Sequence, residues 1–191
     1  MYTDRMRRQG DNAAVMVLCA AFACGCAVGA ALVPRDSMSA LEIAVSRISF
    51  ADPSAWRLGT SLRTVLPWSA AAVLCGLFVS AGVSLPLLTA VRGCTVGCTV
   101  AEFLSVYGTV PGMTVFFAGC GVRCLLSVLS IFAVAVPCMS DTLLRLRLRR
   151  KRRLCVPDQR YIRGAVVSLF LCACAVAADR FLPPVLVSLL L

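Results

Sequence analysis

The sequence contains no histidine and a single lysine, and only 15% of its 191 residues are charged. A soluble domain usually carries about 25% charged residues, so this composition excludes an ordinary soluble domain. The chain also lacks the G-x-S-x-G, H-E-x-x-H and phosphate-loop motifs of common enzymes. No nucleophile with a neighbouring base can be identified. We therefore predict a protein that is not an enzyme and needs no cofactor.

Paired metal-binding cysteines are also missing, although twelve cysteines are present. None belongs to a Cys-x-x-Cys pair, the spacing that zinc sites usually use. All but Cys155 lie within or beside apolar segments, where a thiol behaves as a small hydrophobic side chain. The sequence predicts neither a metal site nor disulfides.

Apolar sequence is what the chain has in abundance, since 60% of it is hydrophobic and its mean hydropathy is +0.88. Uncharged apolar stretches of about 18 or more residues predict membrane-spanning helices. The expected fold is an all-α integral membrane bundle with about five spans. The predicted segments are an N-terminus at 1–12, a first span at 13–33, an amphipathic segment at 34–63, spans at 64–91, 93–109 and 112–138, a basic loop at 139–160, a fifth span at 161–178 and an apolar tail at 179–191.

Two of these segments have alternative interpretations. The first span follows a basic flank, as a cleaved signal peptide would, but it is longer than an ordinary signal core and no clear cleavage site follows it. We favour an uncleaved span. In 34–63, the capping box Ser39-x-x-Glu42 and the break at Asp52–Pro53 indicate two short surface helices. A merely polar connector is the other interpretation.

Between Arg92 and Asp141 the only charged residues are Glu102 and Arg123. One helix of that length would measure roughly 70 Å, more than twice the membrane core, so the chain must fold back. The turn residues cluster at 107–112, and we expect the hairpin to close at Pro111–Gly112.

This turn would bring Glu102 and Arg123 to nearly the same depth, so we predict an interhelical ion pair. An ion or proton pathway is the alternative role for the two residues. In the preceding span, 64–91, Pro86 is the expected site of a kink.

The net charge of +10 is concentrated in one place, because nine of the 19 basic residues lie between 144 and 163. Basic residues next to a span retain a loop in the cytoplasm and attract anionic lipid headgroups. We therefore predict lipid contacts and no nucleic-acid partner. The residues expected at the headgroups are Arg145, Arg147, Arg149, Arg150, Lys151, Arg152 and Arg153.

Small residues recur at four-residue spacing in two predicted spans. Gly93-x-x-x-Gly97-x-x-x-Ala101 forms one series and Gly25-x-x-x-Gly29 forms another. Such series let helix backbones approach closely, either within one bundle or between protomers.

The stretch from Arg92 and Gly93 through Gly97 and Thr99 resembles a motif of the stage II sporulation protein M family. In that family a basic residue and glycine precede a Gly-aromatic-Thr group. The expected order of spans and the Pro-containing apolar tail agree with this resemblance. The chain departs from the pattern at Cys98, where the family has an aromatic residue, and at Val122–Cys124, where it often has Pro-Gln-Asn.

The resemblance implies a non-enzymatic scaffold in the bacterial cell envelope, which in spore formers helps to assemble the peptidoglycan-degrading machinery of engulfment. It would recruit cell-wall hydrolases. The alternative is a membrane component of a transporter or permease, with Glu102 and Arg123 in its pathway. The candidate residues are Arg92, Gly93, Gly97, Thr99, Glu102 and Arg123.

The distribution of basic residues also predicts an orientation in the cell membrane. With the N-terminus in the cytoplasm, the inner segments hold thirteen basic residues and the outer segments five. Because the side richer in Lys and Arg stays inside, the C-terminus is expected outside after five spans. A periplasmic-type reporter fused after Leu191 should therefore be active, and a reporter active only in the cytoplasm would contradict this orientation.

Overall fold

The computed structural model describes residues 2–33, 58–77, 81–147 and 159–190, which are helical almost throughout and contain no β-strand. Four helices are long and apolar enough to cross a membrane, and a shorter apolar helix covers Val65–Leu77. The predicted all-α membrane bundle is confirmed. The elements are α1 (Tyr2–Leu32), α2 (Leu58–Leu77), α3 (Ala81–Tyr107), α4 (Thr109–Phe116), a π-helical segment (Phe117–Gly121), α5 (Val122–Arg147) and α6 (Gln159–Leu190).

The long helices alternate in direction along the chain. In α2 and α3, which follow one another, the Arg92 guanidinium lies over the Trp68 ring at 5.2 Å from its centroid, as antiparallel neighbours require. At the other end of the chain, Arg160 Nη1 at the start of α6 lies 3.9 Å from Asp11 Oδ2 near the start of α1. The helices α1 and α6 therefore begin at the same end of the bundle.

The most extensive helix pair is α1 with α3, and these two helices run parallel. A side chain at Gly93 would meet the carbonyl oxygen of Phe22, and one at Gly97 would meet that of Cys26. A step of four residues along α3 therefore corresponds to a step of four residues in the same direction along α1.

The contact is reciprocal, because α1 supplies glycines of its own to it. A side chain at Gly25 would meet the carbonyl oxygen of Ala90, and one at Gly29 would meet that of Cys94. Cys98 also donates its thiol hydrogen to the Gly29 carbonyl oxygen at 3.2 Å. Only glycine permits backbones to approach this closely, and lipid provides no hydrophobic force to hold helices together otherwise. Both small-residue series therefore serve packing within this chain.

One predicted boundary is wrong. The expected break at Arg92, between the spans 64–91 and 93–109, falls inside the continuous helix α3. The helices instead separate earlier, since α2 ends at Leu77 and α3 begins at Ala81. Arg92 lies inside this helix, with its charged group over the Trp68 ring. Pro86, the residue at which a kink is expected, lies within the first turns of α3.

The hairpin turn lies at Gly108, four residues before the expected closure at Pro111–Gly112. Gly108 has φ of 80°, a conformation that favours glycine. Its N–H donates to the Leu104 carbonyl at 3.0 Å, and Gly112 N–H donates back to the Gly108 carbonyl at 3.0 Å. Pro111 therefore falls in the first turn of α4, where its missing N–H costs little. The edge-to-face contact of Phe103 with Phe116 crosses the turn, and Phe103 also stacks on Tyr107 within α3.

The later helices are longer than the predicted spans 112–138 and 161–178. Helix geometry continues from α4 through the π-helical segment into α5, which ends at Arg147. The helix α6 runs to Leu190, so the backbone of the predicted tail continues the fifth span as a helix. Proline is tolerated in membrane helices because neighbouring groups satisfy the freed carbonyls.

Some predictions fall on residues that the structure does not describe. The surface helices expected in 34–63 lie mostly at 34–57, outside the described ranges, whereas 58–63 form the first turns of α2. The segment 148–158 of the basic loop also lies outside them.

The α1–α3 contact makes a stability prediction. We expect Gly97→Ala to lower the free energy of unfolding by about 1–3 kcal/mol, because its methyl group would collide with the Cys26 backbone. Gly82→Ala is the matched control, since that methyl group would meet only the Thr142 Cγ2 atom at 3.2 Å. Thermal unfolding in detergent compares the two variants, and equal stabilities would contradict the close contact.

Candidate functional site

The two predicted partners Glu102 and Arg123 lie at different depths. Glu102 is six residues before the turn at Gly108, or about 9 Å along the helix axis. Arg123 is fifteen residues after the turn, or about 22 Å. Within the described ranges, no ion pair joins these two side chains, and Glu102 Oε2 is buried without a hydrogen-bond partner. The predicted ion pair is wrong, because the hairpin turns four residues earlier than expected.

Arg123 instead lies level with Arg92, which is sixteen residues before the same turn. Arg123 is near enough to repel the Arg92 guanidinium electrostatically. The structure also gives Arg123 other interactions of its own. Arg92 and Arg123 therefore lie at a similar distance from the turn, on the helices α3 and α5 that it joins.

Arg92 is only partly satisfied by the groups around it. Its guanidinium lies over the Trp68 ring, and its Nη1 donates to Thr95 Oγ1 across a long distance of 3.5 Å. Its Nε is buried and has no hydrogen-bond partner. Arg92 lies eleven residues into α3, about 17 Å from the start of that helix and thus near the middle of a membrane span. A charged group there is costly and is a candidate for function.

A second polar group, which we call the serine cluster, lies where α2, α5 and α6 meet. It consists of the fully buried Ser69 and Ser130 together with Cys172. Ser69 Oγ lies 2.9 Å from Ser130 Oγ and 3.0 Å from Cys172 Sγ. Ser130 also donates to the Ser127 carbonyl at 2.8 Å. These hydrogen bonds join three helices in the interior of the bundle.

Two further hydroxyls lie one turn from the serine cluster. Ser127 and Ser168 are fully buried, and the Oγ of each has no hydrogen-bond partner. Burying a hydroxyl without a partner opposes folding, so these two residues weaken the interior while Ser69 and Ser130 stabilise it.

The motif residues Gly93, Gly97 and Thr99 have structural roles in α3. The two glycines accommodate the backbone of α1. Thr99 is buried and donates its hydroxyl to the Thr95 carbonyl at 2.9 Å. Of the six candidate residues, Arg92 and Arg123 lie at a similar distance from the turn at Gly108, whereas Glu102 lies nearer to it.

Within the described part of the chain, no three Cys, Asp or Glu side chains are grouped as a metal site would require. None of the cysteines in those ranges forms a disulfide. The thiols serve other purposes, as the hydrogen bonds of Cys98 and Cys172 show.

Sequence reasoning missed the serine cluster and the contact of Arg92 with Trp68. The serine spacing contained the information, since Ser127 and Ser130 share a helix face, as do Ser168 and Cys172. Serine is too common in apolar helices for this spacing alone to distinguish a buried cluster. The Trp68 contact depends on where α2 ends, which charge and hydropathy did not locate.

Comparisons with protein-family models, with curated proteins and with solved structures find no match to this chain.

The separation of Glu102 from Arg123 makes a prediction. We expect Glu102→Gln to change the free energy of unfolding by less than about 1 kcal/mol, whereas breaking a buried ion pair costs about 3–5 kcal/mol. Thermal unfolding in detergent measures the difference, with Gly97→Ala as a control that should lose stability. A loss of several kcal/mol in Glu102→Gln would instead show that Glu102 does form a buried ion pair.

Proposed function

We propose that this protein is a non-enzymatic membrane scaffold of the bacterial envelope, which recruits peptidoglycan hydrolases. One observation carries the proposal: the motif residues Gly93 and Gly97 pack against the backbone of α1. The residues that carry the resemblance to stage II sporulation protein M therefore build the bundle. A scaffold requires such a rigid bundle and no reactive centre.

The scaffold proposal includes an orientation. The N-terminus lies in the cytoplasm and the C-terminus outside, as the distribution of basic residues favours. Because Arg92 lies inside α3, it no longer counts among the basic residues of the inner loops. The number of basic residues on the inner side falls by one and still exceeds the number on the outer side. The basic segment 145–153 then faces anionic headgroups. Residues 34–63 face outward and meet the partner.

The test is purification of the full-length protein from cross-linked cells with detection of bound cell-wall hydrolases. We expect a hydrolase to co-purify and to be lost when the apolar residues Leu41, Val45 and Ile48 are replaced by serine. Replacing arginines 149, 150 and 152 by glutamine is the control on the opposite side, and should retain the hydrolase. If both sets of changes, or neither, remove it, then 34–63 is not the partner surface.

A membrane component of a transporter or permease is the second candidate. The buried, unpartnered Oε2 of Glu102 favours it, because an ionisable side chain within a membrane span is a candidate for an ion pathway. If this function holds, Glu102→Gln should abolish flux in proteoliposomes while the protein still assembles normally. A scaffold would keep its hydrolase partner in the same variant.

A further inference from the structure

Two hydroxyls beside the serine cluster have no role in the helix packing described so far. Ser127 and Ser168 are fully buried, and the Oγ atom of neither has a hydrogen-bond partner. A serine within a helix can satisfy its hydroxyl by donating to a carbonyl of the preceding turn, as Ser130 does to the Ser127 carbonyl. Because Ser127 and Ser168 do not bond in this way, their hydroxyls remain available to another group.

The register of α5 against α6 determines where these two hydroxyls lie. A side chain at Gly164, near the start of α6, would meet the carbonyl oxygen of Ala133 and the ring of Pro137. Gly164 therefore lies level with the turn of α5 between Ala133 and Pro137. The two helices run in opposite directions, so a step of four residues forward along α6 corresponds to a step of four residues back along α5.

This register gathers four polar side chains into two facing pairs. On α6, Ser168 lies level with Ser130, and one turn later Cys172 lies level with Ser127. Ser69 of α2 joins one diagonal of this group, because its Oγ lies 2.9 Å from Ser130 Oγ and 3.0 Å from Cys172 Sγ. The other diagonal runs between the two unpartnered hydroxyls. One further oxygen atom on that diagonal would bond to both, as the Ser69 oxygen does on the first.

The composition of the surrounding helices favours a neutral ligand over a cation. The only carboxylate between 64 and 140 is Glu102, and there is none between 159 and 178. Glu102 lies six residues from the turn at Gly108, whereas Ser127 lies nineteen residues beyond that turn. A cation beside Ser127 would therefore be buried without a compensating charge, which is costly. Water is neutral, donates and accepts as a hydroxyl does, and is commonly bound by two to four buried polar groups.

We propose that Ser127 and Ser168 together bind one water molecule in the interior of the bundle, where it links α5 to α6 beside the Ser69 bridge. Without this water the two buried hydroxyls oppose folding, and with it both are satisfied. The site is distinct from the residues used for the scaffold and transporter proposals and does not rest on either.

The first test is thermal unfolding in detergent of Ser127→Ala, Ser168→Ala and the double variant. Each single change should lower the Tm by about 2–4 °C, the shift expected when one hydrogen bond is lost from a chain of this size. The double variant should lose less than the sum of the two single losses, because both hydroxyls contact the same water. Ser105→Ala is the matched control, since this exposed serine donates only to the Glu102 carbonyl of its own helix, and its Tm should not change.

The second test detects the water directly in nanodiscs by nuclear magnetic resonance, with isotope-labelled serine. Magnetisation from water protons should reach Ser127 and Ser168 in the parent protein. The transfer to Ser168 should be lost in Ser127→Ala and kept in Ser105→Ala. This measurement on the parent also decides the matter if a variant fails to fold.

Two results would overturn the proposal. If the hydroxyls are dry and unpartnered, replacing them removes an unfavourable burial, so each single variant would keep or raise the Tm and the shifts would add. If the Tm falls but no water signal reaches Ser127 and Ser168 in the parent, the two hydroxyls bond to protein groups and not to water.

Discussion

The close parallel contact of α1 with α3 is the constraint on which the rest of the structure depends. Each helix places two glycines against backbone carbonyls of the other. Since apolar side chains gain nothing by leaving lipid for one another, close backbone packing is what joins these helices. Two parallel helices in one chain need a return between them, and α2 supplies it. The alternating order of α3, α5 and α6 follows from that arrangement.

The position of a single turn decides which charged residues meet. Gly108 adopts the left-handed conformation, and its location four residues before Gly112 shifts α5 against α3. Arg123 consequently lies level with Arg92 and away from Glu102. The same shift leaves one carboxylate oxygen of Glu102 buried without a hydrogen-bond partner.

The fold class could be predicted from the sequence because membrane helices are specified by length and hydropathy, which are local properties. The alternation of spans and the region of the hairpin turn, 107–112, were also accessible. The break between α2 and α3 was not. Arg92 is the natural place to end a span when only charge is considered, but Trp68 accommodates its guanidinium inside the bundle. Such accommodation depends on a residue 24 positions earlier in the chain.

By itself, the sequence determined that this protein is an apolar helical bundle with small-residue helix faces and a basic segment at one end. Tertiary structure decided which of those faces meet, because a glycine series permits a close contact without naming its partner. It also decided the pairing of charges, since an error of one helical turn moves a side chain by about 5.4 Å along the axis. The atoms of an ion pair must approach more closely than this distance. Counting residues on either side of an expected turn therefore could not determine which charged side chains form a pair.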